Sequence, residues 1–526
     1  MTRLLDDAKI KRLKTDPRRR PGARQNPSAE KAFSKTATQR PGASSQQRPG
    51  ARRPASRMRN SPSNSPSPDS QILESARGLS VRILVRAEEE SSYLDVLLTE
   101  ALKDSPLSVR DRHLATAIIY GVVRYRNQLD WWIDQVASRP VAKMHPAVKA
   151  ILRSAVYQLL FLSRVPPSAA IDEAVKLTYQ FSSHQAAGFV NAILRQIQRM
   201  RPGLRLPAES ADPVRHIALA FAHPEWMVKR WIEQLGLNEC KALCQANNQQ
   251  PRLTARLNSL RVPADTAAVL LFEELQGVQP SQIVPEGFYL EGPRPVVETL
   301  AYQRGEFEIQ GLSSMLVSRA LSPLPGERIV DACAGRGGKT THLAQLMDNR
   351  GMLLALDPSF RKLGLLRENA RRLGVEIIRQ LCADARSVPL RSHQFDRLLL
   401  DVPCSSLGII RRHPEIKWLR AESDLSSLSA LQLDILEQSS SLLAEGGVIV
   451  YSACSLEPEE TTAVVSRFLA QHPEFIREDM RPYLPKVLHE AVGEDECVRI
   501  YPHRYPQYDL DGFFIARLKR QGGSIR

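Results

Sequence analysis

The sequence predicts a multidomain protein: a basic, disordered N-terminal tail, an all-α helical bundle, and an α/β domain built on a doubly wound parallel sheet. Residues 1–77 are rich in Arg, Pro, Ser and Gln, residues from about 80 to 200 repeat apolar side chains with a helical period, and beyond residue 305 short apolar runs alternate with helical stretches. These patterns are typical of disorder, of helix packing and of an α/β sheet, respectively. We expect the boundaries 1–77 for the tail, 78–205 for the bundle, 206–304 for a small α/β connector and 305–522 for the α/β domain.

The tail carries most of the charge of the chain. The 526 residues have a formal net charge of +15, and residues 1–77 contain 18 Lys and Arg against 6 Asp and Glu. The tetrad Arg-Pro-Gly-Ala begins at Arg20, Arg40 and Arg48. A segment with so few large apolar residues cannot offset the entropy of ordering the chain, which predicts disorder. Such a tail either binds polyanions by releasing counterions or only keeps the protein in solution, and the composition leaves both open.

Several classes of protein are disfavoured by the rest of the composition. The sequence has no run of eighteen apolar residues, so we expect no membrane span and no membrane partner. The N-terminus lacks the apolar core of a secretory signal, and the less favoured alternative of a transit peptide would need an amphipathic helix there. Seven cysteines, an odd number, favour reduced thiols over a disulfide framework. We therefore expect a cytoplasmic protein, and we expect a monomer.

The expected bundle contains at least five helices joined by short connections, which is typical of a compact helical domain. Ser108 followed by Asp111 predicts a capping box at the start of one of them. A single apolar face of another helix is predicted from Ile151, Leu152, Ala155, Val156 and Leu159.

Basic and aromatic residues lie close together in the bundle, a combination that suits contact with RNA. Solvated helix faces explain the same arginines, and we favour that interpretation slightly. The residues concerned are Arg110, Arg112, Arg124, Arg126 and Arg195, with Tyr120, Tyr125 and Trp131 nearby.

The α/β domain is expected to hold its functional groups at the carboxyl ends of its strands, since ligands bind there in open α/β sheets. Helices such as Phe360–Leu373 and Leu428–Leu443 separate the strands. The predicted strands are Arg328–Ala334, Met352–Asp357, Ile377–Cys382, Arg397–Val402, Val448–Ser452 and Phe513–Leu518.

The ends of the first three strands predict a site for a cofactor that contains adenosine. The first runs into Asp331-Ala-Cys-Ala-Gly-Arg-Gly-Gly-Lys-Thr340, whose glycines allow a tight turn close to a ligand. Asp357 ends the second strand, where a carboxylate can accept hydrogen bonds from ribose hydroxyls, and Asp384 follows the third, where it can meet an adenine amino group. These residues do not separate NAD from S-adenosylmethionine. A phosphate-binding P-loop is set aside because it needs a glycine where Cys333 stands.

Two cysteines follow the next two strands. Cys404 lies in Asp401-Val-Pro-Cys-Ser-Ser406 and Cys454 in Tyr451-Ser-Ala-Cys-Ser455. A thiolate is a strong nucleophile near neutral pH when nearby groups lower its pKa. Addition of a thiolate to carbon 6 of a pyrimidine makes carbon 5 able to take a methyl group, and a carboxyl group such as that of Asp401 near ring nitrogen 3 would support the shift of charge.

On these motifs, residues about 80–520 resemble the bacterial small-subunit ribosomal RNA (cytosine-5)-methyltransferase B family, within the wider Nop2/Sun family. The runs Arg411-Arg-His-Pro-Glu-Ile-Lys-Trp418 and Asp511-Gly-Phe-Phe514 resemble the active-site loop and last strand of that family, and residues 80–200 resemble the RNA-binding antitermination factor NusB. The resemblance implies a Rossmann-like class I methyltransferase domain, S-adenosylmethionine as cofactor and 16S ribosomal RNA as substrate.

The resemblance also implies roles for individual residues. Cys454 would form a covalent bond to carbon 6 of the cytosine and Cys404 would assist its release, with Asp401 as the third catalytic residue. The arginines of the run from Arg411, with His413, are expected to contact phosphate or the target loop. The implied cofactor-site residues are Cys333, Ala334, Gly335, Arg336, Gly337, Gly338, Lys339, Asp357, Asp384 and Asp401.

The sequence departs from the family pattern at two places. The family usually has Ala-Pro where this chain has Gly335-Arg336, which would alter the cofactor loop or add a positive charge near the methionine carboxylate. A threonine is usual where Ala453 precedes Cys454, so a hydroxyl beside the thiol is lost. Neither change removes a catalytic group.

Two alternatives remain open beside the ribosomal RNA methyltransferase. One is the same chemistry on transfer RNA, and the other is a catalytically inactive RNA-binding assembly factor, which the intact cysteines disfavour. We expect no metal, because Cys240 and Cys244 lie one helical turn apart without a third or fourth ligand nearby.

Overall fold

The computed structural model describes residues 72, 74–103, 105–263, 277–291 and 296–522. The predicted disorder of residues 1–77 thus falls almost wholly outside the described residues. In the part of the chain that the structure describes, no helix has the length and apolar character needed to cross a membrane.

The helical bundle is confirmed, and one of its helices differs from the prediction. Ser108 caps the helix Val109–Arg124 as expected, since its Oγ accepts from the backbone N of Asp111 at 3.2 Å. The helix Pro146–Phe161 is buried around most of its circumference and not on one face, because it runs through the centre of the bundle. The described residues between 76 and 200 form seven α-helices: α1 (Ala76–Glu90), α2 (Leu94–Lys103), α3 (Val109–Arg124), α4 (Arg126–Asp134), α5 (Pro146–Phe161), α6 (Pro167–Phe181) and α7 (His184–Met200).

A group of three helices and a small antiparallel sheet follow the bundle. The sheet has the strand order β2-β3-β1-β4, with β1 at its centre pairing β3 and β4. Arg256 on β1 is fully buried, and it extends from this sheet to the next domain. The elements are α8 (Pro213–Ala220), α9 (Glu225–Leu235), α10 (Leu237–Asn247), β1 (Leu253–Leu257), β2 (Gly277–Pro280), β3 (Gly287–Glu291), α11 (Leu300–Gln303) and β4 (Phe307–Ile309).

The large sheet has the strand order β10-β12-β9-β8-β5-β6-β7, with β11 paired to β12. Its strands are β5 (Arg328–Asp331), β6 (Met352–Leu356), β7 (Ile378–Leu381), β8 (Phe395–Asp401), β9 (Leu443–Ala453), β10 (Phe475–Glu478), β11 (Val498–Ile500) and β12 (Phe513–Arg520). The helices around it are α12 (Leu312–Leu321), α13 (Gly338–Leu346), α14 (Phe360–Leu373), α15 (Ile416–Leu419), α16 (Asp424–Ser440) and α17 (Thr462–Gln471).

Strands β5 to β9 are parallel, as predicted, but the sheet as a whole is mixed. The predicted last strand, β12, runs antiparallel to β9, because alternating apolar residues specify a strand without specifying its direction. The first strand ends at Asp331, three residues before the prediction, where the chain turns into the glycine loop. Helix α14 has its predicted bounds, whereas α16 begins four residues earlier than predicted.

The bundle docks on the loop that follows Cys404, residues 411–420, which we call the docking loop. Lys417 is fully buried, and its Nζ donates to the carbonyl oxygens of Arg124 at 2.8 Å and Ala222 at 2.7 Å. The indole N–H of Trp418 donates to the Val123 carbonyl at 2.7 Å. Since these donors satisfy carbonyl groups at the end of α3, the docking loop closes that helix as well as joining the two domains.

The sequence favours solvated helix faces as the explanation for the arginines of the bundle. At this end of α3, Arg124 and Arg126 fit that interpretation only in part, because both are partly buried. Arg124 donates to the Arg411 carbonyl at 3.1 Å, and burial lowers its pKa. Arg126 pairs with Glu88 at 3.5 Å and is half-buried. Both side chains lie at the junction of the domains, a position that the helical pattern alone does not indicate.

Replacing Lys417 is expected to loosen this junction. The variant Lys417→Met leaves buried carbonyl oxygens without a donor, which costs about 2 kcal/mol and lowers the melting temperature of the full chain by about 2 °C. The matched control Lys486→Met changes an exposed lysine and leaves the melting temperature unchanged. Equal melting temperatures for the two variants in differential scanning calorimetry would show that Lys417 does not hold the junction.

Candidate active site

The two predicted cysteines meet at the carboxyl end of the sheet. Strands β8 and β9 are parallel neighbours with Asp401 opposite Ser452, so the loops that follow them emerge side by side. The Sγ atoms of Cys404 and Cys454 lie 3.2 Å apart. Cys404 is buried, whereas Cys454 is partly exposed. One thiol can therefore act on a group that is bonded to the other.

A buried carboxylate, that of Glu460, holds the two cysteine loops together. Its Oε1 accepts from the backbone N of Ser405 at 2.7 Å, and its Oε2 accepts from the hydroxyls of both Ser405 and Ser455. The two hydroxyl oxygens lie 3.1 Å apart. Because Ser405 and Ser455 each follow a cysteine, Glu460 fixes the spacing of the thiols. We did not predict Glu460, although the repeated Cys-Ser dipeptide was a signal that both loops meet one partner.

A second charged group lies beside the thiols. The Nζ of Lys339 donates to Asp401 Oδ2 at 2.7 Å, and Ser452 Oγ donates to Oδ1 at 2.9 Å. Burial opposes the charge on Lys339, but the Asp401 carboxylate outweighs it, so that the pKa of Lys339 is raised. The predicted site residues Asp401 and Lys339 are thus brought together with the cysteines.

The two thiols differ in acidity. The hydrogen bond from the Cys404 thiol lowers the pKa of Cys454 against the effect of burial, and Ser406 and Lys339 lower it further. The same hydrogen bond and burial raise the pKa of Cys404 well above that of an ordinary thiol. Cys454 is therefore the more acidic thiol of the pair, and Cys404 the less acidic one.

The glycine loop between β5 and α13 turns where the glycines are. Gly335 and Gly337 have φ values of +57° and +87°, in the left-handed region, and a Cβ on Gly337 would lie 2.5 Å from Leu366. The backbone N of Gly335 donates to Asp357 Oδ2 at 3.1 Å. Asp357, predicted to bind ribose, is buried beneath the loop. Its carboxylate fixes the loop and keeps lone pairs for a ligand.

Two buried side chains, those of Asp331 and Arg256, support the glycine loop. No sequence motif indicates this supporting role for either of them. Burial raises the pKa of Asp331 to about 7, while Thr340 donates to its Oδ2 at 2.7 Å. Arg256, from the small sheet, donates to the Gly338 carbonyl at 2.8 Å. The start of α13 is thereby tied both to β5 and to the preceding domain.

Two further residues of the predicted cofactor site lie at its margin. Asp384 forms a two-pronged ion pair with Arg386 at 2.7 Å, and this partner lowers the pKa of its carboxyl group. Arg336 is exposed and lies 3.8 Å from Asp95 on α2. Its charge is thus partly balanced by the bundle. Ala453 is buried in the apolar core, whereas Ser452 supplies the hydroxyl that reaches Asp401.

The expectation for Arg411 needs correction. Arg411 is buried and donates to Asp511 at 2.7 Å and Asp509 at 2.8 Å. Its guanidinium group is occupied by acidic side chains just before β12, so it ties the docking loop to the sheet. Arg412 donates to Asp511 through Nε at 2.6 Å and is partly exposed, and its contact with phosphate stays a prediction. Carboxylates a hundred residues away in sequence gave no local signal.

Potential metal ligands meet at one place among the described residues. Asp95, His413 and Glu415 offer atoms within 4.8 Å of one another, and Glu415 already accepts from the backbone N of Leu94 at 3.1 Å. Cys240 and Cys244 are buried in an apolar cluster. That the protein uses no metal stays a prediction.

Residues 318–519 match the model of the 16S rRNA methyltransferase RsmB/F family, residues 74–199 the NusB family, and residues 223–297 the ferredoxin-like domain of RsmF/B-like methyltransferases. A Bacillus subtilis protein named "Probable ribosomal RNA small subunit methyltransferase B" is 35% identical over 85% of this chain and 99% of its own length. The ribosomal RNA small subunit methyltransferase B of Escherichia coli O6:K15:H31 is 33% identical over 75% and 89%.

The chain belongs to the ribosomal RNA small subunit methyltransferase B family. Among solved structures, PH0851 superposes with a TM-score of 0.73 at 27% identity and covers 85% of this chain and 99% of that one. NSun6 from Pyrococcus horikoshii with SFG has a TM-score of 0.50 at 22% identity, over 57% of this chain and 99% of that chain, and shares the fold.

As a member of the methyltransferase B family, the protein is a ribosomal RNA methyltransferase, and the family implies S-adenosylmethionine as the methyl donor. The predicted family, the NusB-like bundle and the Rossmann-like domain are confirmed. The residues at the strand ends fit such a donor, because the left-handed glycine loop exposes backbone groups beside the buried carboxylate of Asp357.

The difference in acidity of the thiols can be measured by alkylation. We expect iodoacetamide to modify Cys454 with a midpoint below the pKa of an ordinary cysteine, about 8.5. Lys339→Met removes the positive charge beside Cys454 and leaves the Asp401 carboxylate without its ion-pair partner. The midpoint of Cys454 alkylation therefore moves to higher pH. Lys362→Met, which changes a lysine beside Asp357, leaves the midpoint where it was. Peptide mass spectrometry separates Cys454 from the other cysteines, and a midpoint unaffected by Lys339→Met would contradict the assignment.

Proposed function

We propose that the protein transfers a methyl group from S-adenosylmethionine to carbon 5 of a cytosine in 16S ribosomal RNA through a covalent bond between Cys454 and carbon 6. The observation that carries the proposal is the pair of thiols 3.2 Å apart beside the Lys339–Asp401 ion pair. The site brings together three groups: a nucleophile, a carboxyl group and a second sulfur that is able to move a proton. They lie where the glycine loop ends.

The cofactor would be held by the glycine loop and the carboxylates beside it. When bound, S-adenosylmethionine supplies an electrophilic methyl group. The carboxylate of Asp357 would accept the ribose hydroxyls and Asp384 the adenine amino group, if Arg386 yields one carboxylate oxygen. The other assigned residues of this site are the loop residues Cys333, Ala334, Gly335, Arg336, Gly337, Gly338 and Lys339, together with Asp401.

The chemistry begins at Cys454. Its thiolate adds to carbon 6 of the cytosine, and the electrons of the ring double bond move to carbon 5, which thereby becomes nucleophilic. A proton shared within the Lys339–Asp401 pair would pass to ring nitrogen 3, which is an acceptor in cytosine, and would balance the negative charge that develops there. Lys339 keeps Asp401 oriented at 2.7 Å and favours the thiolate of Cys454 by its charge.

The bond to Cys454 is then broken with the help of Cys404. Once carbon 5 carries the methyl group, its proton must leave so that the double bond to carbon 6 can form and the Cys454 sulfur can depart with its electrons. Cys404 lies next to that sulfur, and once its own proton has passed to water, its raised pKa makes it the stronger base of the pair. We therefore assign the removal of the carbon 5 proton to Cys404.

The remaining assignments follow from this function. The NusB-like bundle would bind ribosomal RNA, with the protein acting as a monomer in the cytoplasm without a metal. The segment boundaries 78–205, 206–304 and 305–522 are our proposed domain limits. Transfer RNA is the second candidate substrate.

The first test is transfer of labelled methyl from S-adenosylmethionine to bare 16S ribosomal RNA. We expect label in 5-methylcytosine with the native protein, and a rate at least about 10³-fold lower with Cys454→Ala. Cys404→Ala should accumulate a protein–RNA adduct that survives denaturing electrophoresis, because the bond forms and is not released. Cys382→Ala, which changes an exposed cysteine, serves as the control and retains full activity.

The outcomes separate the alternatives. Label in transfer RNA only would assign the other substrate, and RNA binding without any transfer would favour the assembly factor. Full activity of Cys454→Ala would refute the covalent mechanism.

A further inference from the structure

The bundle contributes a short segment to the edge of the active site. Residues 91–93 join α1 to α2, and together with Leu94 and Asp95 at the start of α2 they form what we call the α1–α2 corner. The backbone N of Leu94 donates to the buried Glu415 of the docking loop at 3.1 Å. Asp95 lies 3.8 Å from Arg336 of the glycine loop. The corner therefore contacts the docking loop on one side and the glycine loop on the other.

Tyr93 lies in this corner between the two anchored positions. Its ring meets His413 edge-on at 5.8 Å between centroids, and the side chain is 39% exposed. The ring thus packs on the docking loop, which follows Cys404, while part of it still faces solvent.

Several other aromatic rings of the bundle are engaged with one another. Tyr125, Tyr157 and Phe161 are partly buried and stack with centroids 4.4 to 6.3 Å apart. Tyr179 is the other tyrosine of the described bundle with a large exposed fraction, 44%, and its ring packs on His184. Tyr93 therefore combines an exposed ring with a position between the docking loop and the glycine loop.

We propose that Tyr93 is a substrate-contacting residue whose ring stacks on the target cytosine and holds it against Cys454. The inference rests on the proposed function. An enzyme that modifies a base inside a folded RNA must take the base out of its stack, and an aromatic ring replaces part of the lost stacking. The anchors at Leu94 and Asp95 hold the ring in place before the base arrives, so little conformational entropy is lost on binding. The bundle thereby completes the base pocket, in addition to binding RNA at a distance.

The test compares Tyr93→Ala, Tyr93→Phe and the matched control Tyr179→Ala in steady-state transfer to 16S ribosomal RNA. Stacking of one base on an aromatic ring is worth about 1–3 kcal/mol, so Tyr93→Ala should lower kcat/KM for RNA by about 5- to 150-fold. The KM for S-adenosylmethionine should stay unchanged, and Tyr93→Phe and Tyr179→Ala should match the native protein. Equal kcat/KM values for Tyr93→Ala and Tyr179→Ala would overturn the proposal.

A second measurement distinguishes base stacking from a structural role. In the Cys404→Ala background, Tyr93→Ala should reduce the yield of covalent RNA adduct, while Tyr93→Phe retains it. If Tyr93→Ala lowers the melting temperature, Tyr93→Leu keeps the apolar bulk and is compared instead. Transfer restored by leucine would refute stacking, and continued loss would support it. Failure of the proposed function itself has a different signature, since the native protein would then label no RNA or Cys454→Ala would remain active.

Discussion

The geometry of the active site depends on one buried carboxylate. Glu460 accepts hydrogen bonds from the serine that follows each cysteine, so the ends of β8 and β9 cannot separate without depriving a buried carboxyl group of hydrogen-bond donors. The parallel pairing of the two strands brings the loops to the same edge of the sheet, and Glu460 then fixes their spacing. A distance of 3.2 Å between two sulfurs is useful for catalysis only if it is maintained.

The electrostatics of the site follow from that spacing. Because the thiols share a hydrogen bond, stabilising the thiolate of Cys454 makes Cys404 harder to ionise. Lys339 adds a positive charge on one side, and Asp401 keeps that charge in place and remains available to a base. One hydrogen bond and one ion pair thus give two identical side chains different chemistry.

The docking loop links this chemistry to the bundle. Its first residues are held by Asp509 and Asp511 of the α/β domain, and Lys417 and Trp418 hold the end of α3. The loop begins directly after the Cys404 segment, so the same few residues position the bundle relative to the active site. The contacts of Arg336 with Asp95 and of Glu415 with Leu94 extend this junction to the cofactor loop.

Much of the architecture could be predicted from the sequence because it is encoded locally. Helical periodicity identified the bundle, and apolar runs identified the parallel strands and their ends. The cap at Ser108 and the bounds of α14 agree with the prediction. The strand-end residues Asp357, Asp401, Cys404 and Cys454 could be singled out because parallel strands place their carboxyl ends on one edge.

What the sequence alone determined was therefore the class of each segment and which residue types stand at the strand ends. The tertiary structure decided which of them meet: Glu460 with both cysteine loops, Lys339 with Asp401, and Arg411 with Asp509 and Asp511 rather than with phosphate. It also decided the antiparallel direction of β12 and the place of Tyr93. These contacts join residues that are far apart in the chain. Their energies depend on burial and on pairing in space, and a local sequence pattern carries no information about either.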